Sequence, residues 1–316
     1  MIRFPDTPRR LGLGVGLDLP WGAPIGFEYA AGQGDRVTDK VARFLDRHAS
    51  TFTYGFVSWQ PRDRSVVDLV DYAPAFDDLF SRTPAWSVRA LHHTALNLGA
   101  TEPYERGRLL DFTNALVQRY RLRWVNEDLG LWSIRGRPLP YPLPPYLTEA
   151  GLAACIRNTA EVQRGLDVPL LVEFPGFSEG VSFTIGELDA YDFFRHVVEE
   201  TDSACTLDTG HLLSWQWQRG RRGDELFEEL ERLPLEHCFE IHLSGCDIID
   251  DRFMDYHHGV IHDAQLQMLD HLLARCPNAR AVTYEDPKFD AHGRLIAKSV
   301  PNFERLQVMV QSWASA

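Results

Sequence analysis

Short apolar segments with strand character alternate along the chain with longer segments of helical periodicity. The strand-like segments are residues 11–17, 50–57, 87–92, 122–127, 168–173, 204–208, 238–243 and 281–285. Between them, apolar residues return at three- and four-residue intervals, which is typical of amphipathic helices. The periodicity predicts helices over residues 35–49, 103–120, 147–166, 187–201 and 262–276. Strands that alternate with helices indicate parallel βα units.

Eight βα units in 316 residues predict a closed (β/α)8 barrel, or TIM barrel, of the α/β class. An open, doubly wound sheet is the alternative. No Pro-, Gly- or Ser-rich linker divides the chain, so we expect a single domain over residues 1–316. The Pro-rich segment 137–146 is too short for a linker and is predicted to form an ordered loop after the fourth strand. GLGVG (12–16) lacks the third glycine of a dinucleotide-binding loop and is interpreted as the first strand.

The composition argues against several classes of function. The chain has 45 acidic and 32 basic side chains and a net charge of −13, which disfavours general affinity for nucleic acid or anionic membranes. No apolar stretch approaches the roughly 18–20 residues of a membrane-spanning helix. The first residues lack the apolar centre of a signal peptide. Five cysteines without a paired pattern fit reduced thiols, so we expect a cytoplasmic protein.

Six of the predicted strands end on a residue that can bind a metal ion. These residues are His92, Glu127, Glu173, Asp208, His242 and Glu285. They follow one another at intervals of 34 to 46 residues, about one βα unit each. Because the carboxyl ends of barrel strands meet at one rim, these side chains should converge, and their carboxylates would repel unless cations neutralised them. A mixed imidazole and carboxylate set suits iron, manganese, cobalt or zinc, and its size indicates two or three ions.

Three local motifs add candidate ligands. LDTGH adds His211, three residues after a strand end, and EIHL adds Glu240 on the same strand face as the histidine that follows it. MDYHHGVIH adds Asp255, His257 and His258 from a loop. A single residue of this kind is more often solvated or hydrogen-bonded in a core. The repeated spacing of the whole set is what favours a shared metal site.

In this order, the motifs resemble those of the multinuclear non-haem iron-dependent oxidative enzymes. That family includes the methanobactin biosynthesis oxidase and is related to xylose-isomerase-like barrels. ALHHTALNLG (90–99) is similar to the family's LHG-V-x-L-S-L-G segment, and NEDLGLWS (126–133) is similar to SEHLAWS. LDTGH, EIHLSG and YED follow in the family's order. The resemblance extends from about residue 88 to residue 286.

The resemblance implies a barrel that holds two or three irons (Fe2+/Fe3+) and uses O2 as a co-substrate. The implied substrate is a ribosomally synthesised precursor peptide, in which a residue near the C-terminus, typically a cysteine, is oxidised. A separate peptide-recognition protein often assists. By motif position, His92, Glu127 and Glu173 fall on the family's histidine and acids.

The chain departs from the family pattern in several places. The early E-x-H-x-E-N motif is missing, since residues 53–61 contain neither histidine nor acid. Asp128 replaces a histidine, Phe174 replaces an asparagine, and Cys246 stands where the family has another histidine. These departures favour two ions over three. Asp128 and Cys246 are further candidate ligands, although a buried thiol is the simpler interpretation of Cys246.

Two other functions are compatible with such a barrel. A divalent-metal-dependent sugar isomerase or epimerase would use a catalytic lysine or a pair of glutamates. The chain has three lysines, Lys40, Lys288 and Lys298, and only Lys288 lies near the predicted rim, which disfavours this alternative. A metal-free barrel that binds cationic ligands through its acids is the third reading, and the cluster of histidines argues against it.

Overall fold

Eight parallel strands close into a barrel in the computed structural model, which describes residues 1–7, 9–17, 27–30, 33–59, 67–177, 182–255, 257 and 260–316. The strands are β1 (Leu13–Leu17), β2 (Tyr54–Trp59), β3 (Val88–His93), β4 (Val125–Asp128), β5 (Leu170–Glu173), β6 (Ala204–Asp208), β7 (Cys238–Ser244) and β8 (Ala281–Glu285). They are neighbours in chain order, and β1 closes the barrel by pairing with both β2 and β8. The predicted barrel is confirmed, and each strand overlaps one of the predicted strand segments.

The described part of the chain contains eight α-helices. They are α1 (Asp39–Arg47), α2 (Leu69–Ser81), α3 (Gly107–Tyr120), α4 (Glu149–Gly165), α5 (Ala190–Glu200), α6 (Thr209–Gln218), α7 (Asp263–Arg275) and α8 (Val300–Ser315). The periodicity predicts α1, α3, α4, α5 and α7 but misses the other three. Helix α6 shows why: its first eight residues are all buried, so it has no polar face to alternate with the apolar one. None of the helices in the described ranges has the length and apolar character that crossing a bilayer requires.

The Pro-rich segment after β4 is a β-hairpin rather than the predicted loop. Leu131–Ile134 pairs antiparallel with Arg137–Leu143. Arg135 and Gly136 form its turn and have positive φ angles of 49° and 70°. Two-residue hairpin loops of type I′ have positive φ at both positions. The prolines fall at alternate positions of the second strand, and such positions are tolerated where a strand lies at an edge.

The interior of the barrel changes from apolar at the amino ends of the strands to polar at their carboxyl ends. Gly14 and Gly16 of β1 face inward, since a Cβ atom there would lie 2.3 Å from the Tyr54 ring and 2.2 Å from the Phe56 ring. The glycines of GLGVG therefore make room for two aromatic rings, as expected of a barrel strand. Tyr54, Trp124, Leu171 and Phe239 form the buried apolar floor. Polar side chains above this floor face the mouth of the barrel.

Candidate metal centre

Among the described residues, three groups of side chains that could hold a metal ion lie at the carboxyl ends of the strands. Two inner groups consist of Glu173, Asp208, His242 and Glu285, and of His92, Asp128 and Glu173. The outer group consists of His211, Asp255 and His257. Within each group, one ligand atom from each residue lies within 4.8 Å of the others. Five carboxylates and four imidazoles from six strands and two adjoining segments thus meet at one rim, as the spacing predicts.

Glu173, at the end of β5, joins the two inner groups. Its Oε2 lies 3.2 Å from His92 Nε2, and its Oε1 lies 3.2 Å from His242 Nδ1. Asn126 of β4 also donates a hydrogen bond to this carboxylate. Because it belongs to both inner groups, Glu173 could serve as a ligand in each of them.

The outer group is assembled from the start of α6 and from the segment after β7. Asp208 caps α6 by accepting a hydrogen bond from the backbone N–H of His211 (2.9 Å). His211 Nδ1 lies 2.6 Å from the carbonyl oxygen of Phe174, an arrangement that holds the proton on Nδ1 and leaves Nε2 as the ligand atom. That Nε2 lies 3.1 Å from Asp255 Oδ2 and 3.2 Å from His257 Nε2. The side chain of His257 is 20% exposed, so this group is the one that opens toward solvent.

The concentration of acids changes the pKa values of the site. Burial lowers the pKa of His92, but the hydrogen bond that its ring donates to Glu173 and the charges of Glu285, Glu173 and Asp128 outweigh it and raise the pKa to about 10. Burial lowers the pKa of His257, but the charges of Asp255, Glu285 and Asp208 together raise it to about 9. Burial raises the pKa of Asp128 to about 7, with repulsion from Glu173 as the next cause. In the absence of cations, protons on these side chains would therefore offset the negative charge of the site.

Two further observations show that the residues fit a cation. Asp208 Oδ2 is buried and has no hydrogen-bond partner among the described residues. A Cβ atom on Gly176 would lie 3.0 Å from Asp255 Oδ2 and 3.1 Å from His211 Cδ2, so the glycine keeps space open beside the outer group. Nitrogen and oxygen donors without a thiolate suit iron, manganese, cobalt or zinc.

Glu127, one of the predicted ligands, lies outside the three groups. On β4 the side chains of Asn126 and Asp128 point into the barrel, so that of Glu127 points outward. It accepts hydrogen bonds from the backbone N–H groups of Leu96 (3.2 Å) and Asn97 (2.7 Å). Asp128, treated above only as a further candidate, holds the inward position. Strand alternation is the signal that separates these two acids.

Glu240, also predicted as a ligand, lies deeper in the barrel than the three groups. It shares an inward face with His242, as expected, but sits two residues nearer the floor. Its carboxylate accepts hydrogen bonds from Trp124 Nε1 (2.8 Å) and Thr283 Oγ1 (2.5 Å). The structure therefore places it beneath a candidate ligand instead of among the ligands.

Among the described residues, Cys246 is the remaining candidate, and it contributes no ligand to these groups. It is buried, and its Sγ lies 3.4 Å from Gln265 Oε1. Burial, with the nearby charges of Asp255 and Asp208, raises the pKa of Cys246 well above its usual range and keeps it a thiol. His258 lies outside the described residues.

Comparison with known proteins assigns this barrel to a family. The family described as "RiPP precursor modification enzyme MbnB/TglH/ChrH" matches residues 75–299, where RiPP denotes a ribosomally synthesised and post-translationally modified peptide. The chain belongs to this family. The resemblance seen in its motifs is thereby confirmed, and the protein is a (β/α)8 barrel from a family of peptide-modifying enzymes, with buried clusters that could bind metal ions.

Relatives named only as UPF0276 proteins share part of the chain. One from Paraburkholderia phytofirmans (strain DSM 17436 / LMG 22146 / PsJN) is 30% identical over 223 residues, which are 67% of this chain and 68% of the relative. One from Rhizobium meliloti (strain 1021) is 29% identical over 199 residues, 59% of this chain. The chain spans about 60% of the length of the Rhizobium relative.

Solved structures with a similar fold include sugar-epimerase and isomerase-like barrels. A xylose isomerase domain protein from Alicyclobacillus acidocaldarius subsp. acidocaldarius has a TM-score of 0.54 and 15% identity over 96% of this chain and 100% of that one. D-Psicose 3-epimerase from Clostridium cellulolyticum H10 has a TM-score of 0.52 and 10% identity over 96% and 97%. At these identities the likeness concerns the fold alone.

Proposed function

We propose that this protein is a multinuclear non-haem iron enzyme that uses O2 to oxidise one residue of a RiPP precursor peptide. The residue is a cysteine or a similar side chain near the peptide's C-terminus. Family membership supports the peptide substrate. The observation that carries the metal part is the shared Glu173, which joins two groups of histidines and acids at the mouth of the barrel.

Several residues of the chain would have separate roles in such a site. When bound, iron supplies one-electron redox chemistry and a binding position for O2. Glu173 holds the inner groups at a fixed separation, and the contact with the Phe174 carbonyl orients the ring of His211. Phe56 packs under the site, with ring centroids 5.1 Å from His242 and 5.6 Å from His92, and keeps water out from below. The partly exposed His257 marks the side from which a peptide side chain would enter.

The decisive experiment is to express the protein anaerobically with iron and to quantify bound metals together with the electron paramagnetic resonance signal of mixed-valent iron. The loaded protein is then mixed with O2 and with short Cys- or Asp-rich peptides encoded beside its gene, and each peptide is weighed by mass spectrometry. We expect bound iron, a mixed-valent signal and a peptide mass change that requires O2. Retention of zinc or magnesium without iron would refute the oxidase, and turnover of a ketose by that protein would favour the sugar isomerase or epimerase.

Variants tie this outcome to the proposed ligands. His211→Ala and Glu285→Ala each remove a ligand from a different group, so both should lower bound iron while circular dichroism shows a folded protein. Unchanged iron content in either variant would remove that residue from the ligand set. A peptide that is oxidised only in the presence of cell extract would point to the separate peptide-recognition protein that the family resemblance implies.

A further inference from the structure

The carboxylate of Glu240 is held by donors from the barrel floor and faces a candidate metal ligand. Its Oε2 accepts a hydrogen bond from Trp124 Nε1 (2.8 Å), and its Oε1 accepts one from Thr283 Oγ1 (2.5 Å). The same Oε1 lies 3.4 Å from His242 Nε2, a buried nitrogen that makes no hydrogen bond among the described residues. All four side chains are buried, so solvent does not compete for these contacts.

The other ring nitrogen of His242 faces the inner metal group. Its Nδ1 lies 3.2 Å from Glu173 Oε1 and 3.2 Å from Glu285 Oε2. A neutral imidazole carries one proton, so one nitrogen can bind a metal only when the proton is on the other. In metal sites, a carboxylate opposite the second nitrogen commonly fixes this choice.

We propose that Glu240 is a positioning residue that sets the tautomer of His242, with the proton on Nε2 and Nδ1 free to bind the metal. The proposal rests on the proposed function only in requiring a metal ion at the inner group. In this proposal Glu240 acts on the metal site through His242, whereas the sequence predicts that Glu240 itself binds the metal.

A variant of Trp124 can separate the positioning role of Glu240 from the effect of its negative charge. An indole N–H can only donate, whereas the hydroxyl of Thr283 can donate or accept. In Glu240→Gln the amide oxygen must therefore face Trp124, and the NH2 group must face His242 Nε2. That nitrogen would then have to accept, which moves the proton to Nδ1 and blocks the ligand atom. In the double variant Trp124→Phe/Glu240→Gln the amide can turn, so its oxygen can face Nε2–H as the carboxylate oxygen does in the wild type.

Zinc is the probe, because it is diamagnetic and requires neither O2 nor peptide. Its affinity for the metal-free full-length protein is measured by competition with a chromophoric chelator for the wild type, both single variants and the double variant. We expect Glu240→Gln to lose about 10–100-fold in affinity, Trp124→Phe to stay near the wild type, and the double variant to recover most of the loss. Wild-type affinity in Glu240→Gln, or equal losses in Glu240→Gln and the double variant, would overturn the positioning role.

A direct measurement on the wild type does not depend on whether a variant folds. Nitrogen-15 NMR of the zinc-loaded, histidine-labelled protein reports which nitrogen of His242 carries the proton, with the resonance assigned by its absence in His242→Gln. The proton is expected on Nε2, and a proton on Nδ1 would overturn the proposal. Because the readout is zinc binding, failure of the iron oxidase in its own test leaves this result intact.

Discussion

At the scale of single residues, one step along a strand decides which acid reaches the candidate metal centre. Glu127 and Asp128 are adjacent and buried, but only Asp128 lies in a candidate metal group. Glu127 instead accepts hydrogen bonds from the backbone N–H groups of Leu96 and Asn97 on the outer side of the sheet. Since side chains alternate along a strand, a motif match that is one residue off exchanges a ligand for a structural acid.

The variants Asp128→Asn and Glu127→Gln should affect different properties, the first metal content and the second stability. Asp128→Asn weakens the group shared with His92 and Glu173, so we expect less bound metal and a stably folded protein. Glu127→Gln turns an NH2 group toward one of two backbone donors, which should cost about 1–3 kcal/mol of unfolding free energy and leave metal content unchanged. Elemental analysis and urea denaturation measure the two quantities. Loss of metal from Glu127→Gln alone would contradict the side-chain directions described here.

Gly176→Ala tests the space beside the outer group. The added Cβ would lie 3.0 Å from Asp255 Oδ2 and 3.1 Å from His211 Cδ2, where a bound cation would be crowded. We expect metal to be lost from the outer group and kept by the inner groups, seen as a lower metal-to-protein ratio. Gly136→Ala is the control, since nothing lies within 4 Å of its Cβ and its positive φ costs only local stability. Equal metal loss in both variants would show that the effect is not local.

At the scale of elements, the hairpin after β4 links the outside of the barrel to the outer group. Asn97 holds the first strand of the hairpin: its Nδ2 donates to Ser133 O (3.1 Å), and its Oδ1 accepts from the backbone N–H groups of Trp132 (2.7 Å) and Ser133 (3.1 Å). From the second strand, the Tyr141 hydroxyl donates to the carbonyl of Asp255. The hairpin is therefore a fixed wall of the mouth.

Removing the Asn97 side chain should release this wall. Asn97→Ala and Asn97→Gly lose the same hydrogen bonds, but the φ of 56° at this position strains alanine and not glycine. We expect urea denaturation to show a lower free energy of unfolding for both variants. That of Asn97→Ala should be lower than that of Asn97→Gly by about 1–2 kcal/mol. Metal affinity of the outer group should fall in both. Stability equal to that of the wild type in Asn97→Gly would mean that the hydrogen bonds contribute little.

At the scale of the whole molecule, a chain with a net charge of −13 gathers five of its acids at one rim. Without metal, the imidazoles among them retain protons, since the pKa of His92 is raised to about 10 and that of His257 to about 9. A nitrogen must lose its proton before it binds a metal, so protons and cations compete for the site.

Metal affinity should therefore increase as pH rises from 6 to 9, and binding should release protons. Below their raised pKa values the histidines are charged and repel the cation, and above these values they are free to bind. Calorimetric titration with Zn2+ in two buffers of different ionisation enthalpy measures the number of protons released. An affinity independent of pH, with no proton release, would exclude these histidines from the ligand set.

The sequence by itself determined the class of fold and the approximate location of the candidate site. Strand and helix periodicities are local properties, so all eight barrel strands were predictable. Metal-competent residues at the ends of six predicted strands placed the candidate site at the carboxyl rim. The tertiary structure decided which side chains face inward and how deep they lie. Glu127 points outward and Glu240 lies below the candidate ligands, because direction and depth depend on the register of neighbouring strands. That register is set by packing between strands far apart in the chain, such as the glycines of β1 against Tyr54 and Phe56.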